Sequence, residues 1–485
     1  MDTIEQTGKS LLEHPEAKRL LADAEVQVDQ VQGCRRRLER FMNRYVPLFY
    51  RKEQGRNARI VIEGLLSGLE RKTAEPIARD HGVPRKPIQF FVGSGKWNDE
   101  AVMAEVRRHV VQSLGDPQGV LVFDPSAFPK KGTHSCGVER AWCGRLGKVE
   151  NCQTGLFMAY ATDRGQGPLD RRLYLSKEWV ADRVRRAECH VPAGVKFQER
   201  WQMALAMLDR HGPWIPHAWV AADDEFGRVG AYRAGLRDRR QAYVLDVPCN
   251  TQVRDLQGRR PPRRAGKKGR MRQVPFRRAD AWAAAQPADR WQQFTVRDGQ
   301  KGPIQVQAVI AHVRTRQDKR LGPEEWLIVI RHLEADGSAP DVSYHLAWSP
   351  QQEVSLEQGV LAQARRHQIE QMLEHGKGEA GLDHYEIRSY VGWHHHMTLS
   401  LLALWFLTLE RLAMGKKGTG GDGAAGAGNL GASAAASCSQ CTPDRSRSQH
   451  GAHPQRRGAN LPLARPHGPV PATASSRRLR MKQLQ

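Results

Sequence analysis

A series of short apolar runs between residues 119 and 248 constrains the fold more than any other feature of this sequence. Each run is bounded by Gly, Pro or charged residues, as buried β-strands usually are. The runs are "GVLVFD" (119–124), "TGLFMAYATD" (154–163), "RLYLS" (172–176), "HAWVAAD" (217–223) and "QAYVLDVP" (241–248). A helical pattern over residues 197–212 interrupts them. Strands that alternate with a helix predict an α/β domain.

Two of these runs end on a carboxylate. Asp124 follows "LVF" and Asp223 follows "WVAA". Ligands of α/β folds bind at the ends of the strands, and carboxylate oxygens are the donors that hard divalent cations prefer. One such acid is usually a turn or a helix cap, but two on separate strands can converge on a metal ion. Asp224 and Glu225 adjoin Asp223, and the strand-end position favours Asp223 among the three.

A third acid is found in residues 365–388. At about 100° per residue, Arg366, Glu370 and Lys377 fall on one helical stripe, which would present a carboxylate to a metal and two cations to phosphates. The alternative is an exposed helix with ordinary i,i+4 charge pairs, and spacing alone favours that alternative. Glu386 is a rival to Glu370, but it lacks Arg and Lys companions at the matching spacing.

The charge balance indicates a polyanionic partner. The chain has 75 Lys and Arg against 52 Asp and Glu, a formal charge of +23, which suggests nucleic acid before membrane. Residues 251–278 hold eleven Lys and Arg and a single acid, and their Pro and Gly predict an irregular, mobile loop. That loop is either a contact for the DNA backbone or a solvated linker. Its central cations are Arg263, Arg264, Lys267 and Lys268.

The N-terminal part of the chain is predicted to be helical. Within it, residues 75–97 have the outline of a helix-turn-helix, with Gly82 in the turn. Any helical hairpin has the same outline, and Pro84 and Pro87 count against the second helix. DNA recognition and a plain hairpin both remain open for this segment.

The remaining composition excludes several classes of protein. The start of the chain has no apolar signal segment, and the longest apolar run, residues 399–409, is too short to span a bilayer and predicts a buried helix. Eight cysteines in a chain of 485 residues make no disulfide framework, which favours a reducing cytoplasm. From residue 407 onward there is no Phe, Tyr, Trp or Ile, so residues 416–485 are predicted to be a disordered low-complexity tail.

Taken in order, the motifs resemble insertion-sequence transposases of the DDE superfamily, which have an RNase H-like catalytic domain. The resemblance covers roughly residues 35 to 412. It rests on "DPSAFPKKG", "GKVENCQTGLFMAYA", "LYLSKEW", "WVAADDEFG", "YVLDVPCN" and "GLDHYEIRSYVGWHHHMTLSLLAL". The branch it most resembles has the signature Tyr-(2)-Arg-(3)-Glu-(6)-Lys, where this chain has Gln363, Arg366, Glu370 and Lys377. The family also usually has an acid and Thr after the first Asp, where Pro125 and Ser126 stand here.

The resemblance implies a site and a chemistry. Asp124, Asp223 and Glu370 would be the catalytic triad and would bind two Mg²⁺ ions, for which Mn²⁺ substitutes. Arg366 and Lys377 would contact the DNA ends. Lys130 and Lys131 are predicted either near the DNA backbone or in a solvent-facing loop.

The implied partners are the inverted-repeat ends of the element and the target DNA, bound by a homodimer in the bacterial cytoplasm at the nucleoid. The implied fold is α/β, an RNase H-like mixed sheet flanked by helices. The divisions are a helical, DNA-binding domain (1–115), the first part of the catalytic domain (116–250), a basic loop and β-rich insertion (251–349), the final catalytic helices (350–415) and the tail (416–485).

Two other functions stay open at this level. An altered signature is also expected of a decayed transposase that binds DNA without cutting it, whereas an intact triad favours the enzyme. A stand-alone nuclease is distinguished by a gene that does not lie between short inverted repeats.

Overall fold

The structure is a computed structural model that describes residues 33–261, 272–299, 302–317, 320–333, 341–351 and 353–414. Three of the predicted features lie outside these residues. They are the start of the N-terminal domain, the central cations of the basic loop (Arg263, Arg264, Lys267 and Lys268) and the C-terminal tail from 416 to 485.

The N-terminal region is helical, as its sequence predicts. Its helices are α1 (Cys34–Tyr45), α2 (Lys52–Leu66), α3 (Ala74–Asp80), α4 (Arg85–Gly93) and α5 (Asp99–Leu114).

Helices α3 and α4 have the outline of a helix-turn-helix. Gly82 lies in the turn between them with φ of +61°, a conformation that glycine adopts without steric cost. The prediction that two prolines disturb the second helix was wrong. Pro84 caps α4, and Pro87 lies in its first turn, where a backbone N–H has no intrahelical partner to lose.

The described strands form one mixed sheet. The strands are β1 (Val120–Pro129), β2 (Glu139–Cys143), β3 (Lys148–Thr162), β4 (Gly165–Leu173), β5 (Trp219–Ala222), β6 (Tyr243–Asp246), β7 (Gln252–Asp255), β8 (Arg277–Arg278), β9 (Gln292–Gly299), β10 (Gly302–Gln317), β11 (Arg320–His332) and β12 (Asp341–Trp348). Strands β1, β3 and β4 make an antiparallel meander. Strands β5 and β6 then follow β1 in parallel. The order across this part of the sheet is β4-β3-β1-β5-β6.

The β-rich region after residue 251 extends this sheet. Strand β12 pairs antiparallel with β6, and β11, β10, β7 and β8 continue outward. One face of the extension has a small core of its own, which includes Trp282, Trp291 and Val329. The prediction of an irregular loop over residues 251–278 was wrong at both ends, because β7 and β8 pair with each other there.

Further helices cover the sheet and complete the fold. They are α6 (Lys177–Ala181), α7 (Arg183–Glu188), α8 (Arg200–His211), α9 (Asp224–Gly227), α10 (Gly230–Asp238), α11 (Ala279–Ala284), α12 (Leu356–Glu379) and α13 (Tyr390–Ala413). The apolar run at 399–409 lies in α13 and is almost entirely buried, as predicted. Within the described part of the chain, no helix is long and apolar enough to cross a membrane.

Gly227 sets the distance between α9 and β6. A Cβ atom at this position would lie 1.8 Å from the backbone oxygen of Asp246. We expect Gly227→Ala to lower the free energy of unfolding by about 1–3 kcal/mol, since backbone must move to relieve the overlap. Urea denaturation measures the loss. Gly194→Ala is the control, because a Cβ there meets no atom within 4 Å, and equal losses in the two variants would contradict the prediction.

His109, which is half-buried, and His396, which is buried, make the stability of the fold depend on pH. Burial and the charge of Arg44 lower the pKa of His109 to about 4, and burial and the charge of Lys130 lower that of His396 to about 3. The unfolded chain takes up these protons near pH 6.5 and the folded chain does not, so each of the two histidines lowers the stability as the pH drops from about 6.5 to about 4. Each histidine contributes up to about 1 kcal/mol per pH unit.

The urea midpoint at pH 7.5 and at pH 5.0 tests this expectation. His109→Gln isolates the contribution of His109, because Asp124 and Asp223, whose pKa values are raised by burial, act in the opposite direction on the wild type and the variant alike. The urea midpoint of His109→Gln relative to that of the wild type should be higher at pH 5.0 than at pH 7.5. A difference between the two proteins that is the same at both pH values would contradict the expectation.

Candidate active site

Three acids occupy the same edge of the sheet, where the parallel strands β1, β5 and β6 lie side by side. The last paired residues of β1 and β5 are Phe123 and Ala222, so Asp124 and Asp223 come next to each other. Asp246 is the last residue of β6. The sheet therefore brings together the two acids predicted at strand ends and adds a third strand-end acid.

The prediction that strand β1 stops at Asp124 was wrong. The strand continues through Pro129, paired with β3 along its whole length, and only its pairing with β5 ends at Phe123. Beyond that point one edge of β1 has no neighbouring strand, and proline is tolerated at such an edge because no ladder hydrogen bond is lost there. Pro125 therefore does not end the strand. Asp124 lies within β1, beside the point where the neighbouring strand β5 ends.

The ionisation of Asp124 is affected by the other acids. Burial raises its pKa well above the ordinary value, and the charges of Asp223 and Glu370 raise it further. The charges of Arg366 and Lys377 act in the opposite direction. Four other predicted site residues are thus close enough to act on the carboxyl group of Asp124.

Asp223 is the N-cap residue of the short helix α9. Its side chain accepts a hydrogen bond from the backbone N–H of Glu225 at 3.1 Å, as a helix N-cap does. Burial, followed by the charge of Glu225, raises the pKa of Asp223 to about 7. The capping contact fixes the position of Asp223 at the end of β5.

Helix α12 carries Glu370, Arg366 and Lys377, which confirms that the predicted stripe is helical. The guanidinium of Arg366 lies 2.6 Å from Oε1 of Glu370, and Nδ1 of His367 lies 3.0 Å from Oε2. Burial alone would raise the pKa of Glu370, but the hydrogen bond with His367 and the charge of Arg366 outweigh burial and lower it. Glu370 is therefore an ionised carboxylate held by two neighbours on its own helix.

A cleft of about 910 Å³ joins these groups. Asp124, Asp223, Glu370 and Lys377 all line it. The other charged or ionisable side chains along its wall are Arg200, Glu225, Glu374, Asp383 and His384. The cleft is rich in carboxylates and is also lined by the positively charged side chains of Lys377 and Arg200. This combination suits a metal cation bound together with an anionic substrate.

The donors fit a hard divalent cation in their chemistry. Carboxylate oxygens are the ligands that Mg²⁺ and Mn²⁺ take in proteins, and the repulsion that raises the pKa of Asp124 is relieved by a cation. Among the residues that the structure describes, no group of three or more His, Cys, Asp or Glu side chains is arranged to hold a metal ion. Because Glu370 points to Arg366 and His367, its carboxylate must turn toward Asp124 and Asp223 before all three can share an ion.

The predicted DNA-contacting lysines have different surroundings. The ammonium of Lys130 donates to the backbone oxygen of Tyr385 at 3.0 Å and lies 3.1 Å from the centre of its ring. Burial lowers the pKa of Lys130 to about 7. Lys131 is exposed. Of the two, Lys131 is exposed and Lys130 is half-buried.

Sequence reasoning missed Asp246 and His345. Asp246 lies 2.8 Å from the guanidinium of Arg366, and Nδ1 of His345 lies 2.8 Å from the other oxygen of Asp246. The signal for Asp246 was present, because "YVLD" repeats the strand-then-acid pattern of "LVFD" and "WVAAD". No comparable signal marks His345, which reaches Asp246 only because β12 pairs with β6.

Two comparisons with known proteins identify a family and a relative that this chain resembles. A family model described as "DDE superfamily endonuclease" matches residues 44–303, a range that includes Asp124 and Asp223 and ends before Glu370. A curated protein of Microchaete diplosiphon, "Probable transposase for insertion sequence element IS701", is 23% identical over 197 residues. That alignment covers 40% of this chain and 49% of the relative, so the chain spans about half the length of the curated protein that it matches.

Proposed function

Because the chain belongs to the DDE superfamily endonucleases, we propose that it is the transposase of an insertion sequence. It cuts phosphodiester bonds at the inverted-repeat ends of its element and transfers the 3′-OH ends to target DNA. The observation that carries this proposal is the meeting of Asp124, Asp223 and Glu370 at one cleft. The name of the IS701 relative supports transposition over other uses of an endonuclease.

We place the catalytic domain in the RNase H-like class, in the branch with the Tyr-Arg-Glu-Lys signature. Three antiparallel strands in chain order, followed by two strands parallel to the first, support this class. The branch is supported by Arg366, Glu370 and Lys377 on one helix. The β-rich region between Asp223 and Glu370 is in the place expected for the insertion of this branch.

Asp124, Asp223 and Glu370 are the residues that would hold two Mg²⁺ ions, with Mn²⁺ as a substitute. A bound pair of divalent cations would supply an activated water nucleophile and would stabilise charge on the attacked phosphate and the leaving oxygen. Asp124, Asp223 and Glu370 would neutralise the cations in part and orient them. The same carboxylates serve cleavage by water and joining by a DNA 3′-OH, because only the nucleophile differs.

The positive side chains of the cleft would hold the DNA. Lys377 and Arg200 line its wall, and Lys and Arg side chains are common donors to the phosphate oxygens of DNA.

Helices α3 and α4 offer a second surface for DNA. Arg85 and Lys86 are exposed at the start of α4, with Gln89 on the next turn. A second helix of a helix-turn-helix uses such a face to contact DNA. We propose that α3 and α4 bind the element ends and that the chain acts as a homodimer at the bacterial nucleoid.

A second candidate is a decayed transposase that binds its element ends without cutting them. Specific observations favour it: Pro125, Ser126 and Gln363 replace residues of the usual motif, and the Glu370 carboxylate is held by Arg366 and His367. None of these features removes a member of the triad. The choice between the two candidates is therefore a question of activity.

Cleavage of a labelled duplex tests the proposal. The duplex carries the two ends that flank the gene, and the reaction contains Mg²⁺ or Mn²⁺. Metal-dependent nicking at the element end supports the transposase, and joining of the cut 3′ end to a plasmid supports strand transfer. Binding without cleavage supports the decayed form. Cleavage at positions unrelated to the element end supports a stand-alone nuclease.

A further inference from the structure

Arg366 lies between two carboxylates. Its Nε atom is 2.8 Å from Oδ2 of Asp246, and its Nη1 atom is 2.6 Å from Oε1 of Glu370. The side chains of Arg366 and Asp246 are 14% and 18% exposed, whereas that of Glu370 is 42% exposed. The pair with Asp246 is therefore the more deeply buried of the two.

Asp246 is held firmly on its other side. Its Oδ1 atom lies 2.8 Å from Nδ1 of His345, whose Nε2 atom lies 2.8 Å from the hydroxyl of Ser343. His345 is fully buried, and β12 is paired with β6 at this point, with His345 opposite Asp246. The two oxygens of Asp246 thus have separate partners, one on the insertion strand β12 and one on helix α12.

The carboxylate of Glu370 is required for two partners in the proposed reaction. Oε1 contacts Arg366 in the structure, and a cation shared with Asp124 and Asp223 would draw the Glu370 carboxylate away. A buried guanidinium without a counter-charge is strongly destabilising. Glu370 can turn toward the other acids at low cost only if Arg366 keeps a second carboxylate.

We propose that Asp246 is a positioning residue that holds Arg366 while Glu370 moves onto the cation. This inference rests on the proposed function, since it concerns the same carboxylates. It assigns Arg366 a role as the exchangeable partner of Glu370, in addition to any contact with DNA. It also links the insertion to the active site, because His345 on β12 orients Asp246.

Binding of Mn²⁺ alone to the full chain, measured by calorimetry, tests the inference. In Asp246→Asn, Arg366 keeps only Glu370 as a carboxylate partner, so we expect Mn²⁺ to bind about tenfold more weakly. Removal of the guanidinium should then free Glu370. The double variant Asp246→Asn, Arg366→Gln should therefore regain affinity close to that of the wild type. A merely structural role for Asp246 gives no such rescue.

Two further variants serve as controls for Asp246→Asn. Asp163→Asn removes the ion pair with Arg365, the neighbour of Arg366 on the same helix, and Mn²⁺ binding should not change. Glu374→Gln removes one negative charge from the same cleft. A loss of affinity in Glu374→Gln as large as that in Asp246→Asn would mean that charge alone is responsible, and it would overturn the inference.

The possible failures are distinguishable. If the wild type and Glu370→Gln bind Mn²⁺ equally, the metal site itself is wrong, and the proposed function fails together with the inference. If Glu370→Gln loses affinity but Asp246→Asn does not, the metal site stands and the inference alone is overturned. The inference alone is also overturned if the double variant binds Mn²⁺ no better than Asp246→Asn does.

Discussion

Asp124→Asn should abolish metal-dependent DNA cleavage, with a loss of at least about a thousandfold in rate. The substitution keeps the shape of the side chain and removes the negative charge that a divalent cation requires. Burial and the neighbouring acids already disfavour that charge in the folded protein, so the variant should fold at least as well as the wild type. The loss would therefore arise from chemistry and not from unfolding. Initial rates on the element-end duplex measure it.

Glu370→Gln should give a loss of the same order, because it also removes one proposed ligand. Asp163→Asn is the control, since Asp163 is an exposed acid whose partner Arg365 lies on the same helix as Glu370, and its rate should match the wild type. Cleavage by Asp124→Asn within about tenfold of the wild type would contradict the assignment of the triad.

Glu325→Gln should cost about 3–5 kcal/mol of stability, because it leaves a buried arginine without its counter-charge. Glu325 is fully buried on β11. Its Oε1 atom lies 2.8 Å from the guanidinium of Arg233, and it accepts a hydrogen bond from the Tyr243 hydroxyl at 2.6 Å. Its Oε2 atom accepts a bond from Thr315 at 3.1 Å. The carboxylate therefore ties β10 and β11 to α10 and β6, and urea denaturation should show the loss.

The adjacent residue is a matched control for Glu325. Glu324 is half exposed and pairs with Arg314 on the surface, so Glu324→Gln should cost less than about 1 kcal/mol. Similar losses in the two variants would show that the buried network does not contribute as expected.

The sequence predicts strands β1, β3, β5 and β6 well because each of them contains a continuous apolar run. The runs that end at Asp124 and Asp223 correspond to β1 and β5, and the apolar segment at 399–409 is the buried part of α13. Spacing alone favoured an ordinary exposed helix for Glu370. It was the ordered resemblance of several motifs that singled this residue out.

Other elements depended on contacts that are remote in sequence. Strand β4 was predicted at 172–176, but it is Gly165–Leu173, because pairing with β3 overrides the weak strand propensity of "GQGPLD". Ser176 instead caps helix α6. The role of Asp246 depends on Arg366, which lies 120 residues later. No local pattern indicates that these two side chains meet.

A crystal structure of the protein with DNA and Mn²⁺ would decide whether the three carboxylates share a cation. Anomalous scattering locates Mn²⁺ independently of the protein atoms. We expect Mn²⁺ peaks about 2.1 Å from carboxylate oxygens of the triad, with Glu370 among the ligands and Arg366 still on Asp246. A peak elsewhere, or Glu370 still paired with Arg366 while Mn²⁺ occupies the cleft, would contradict the proposed site.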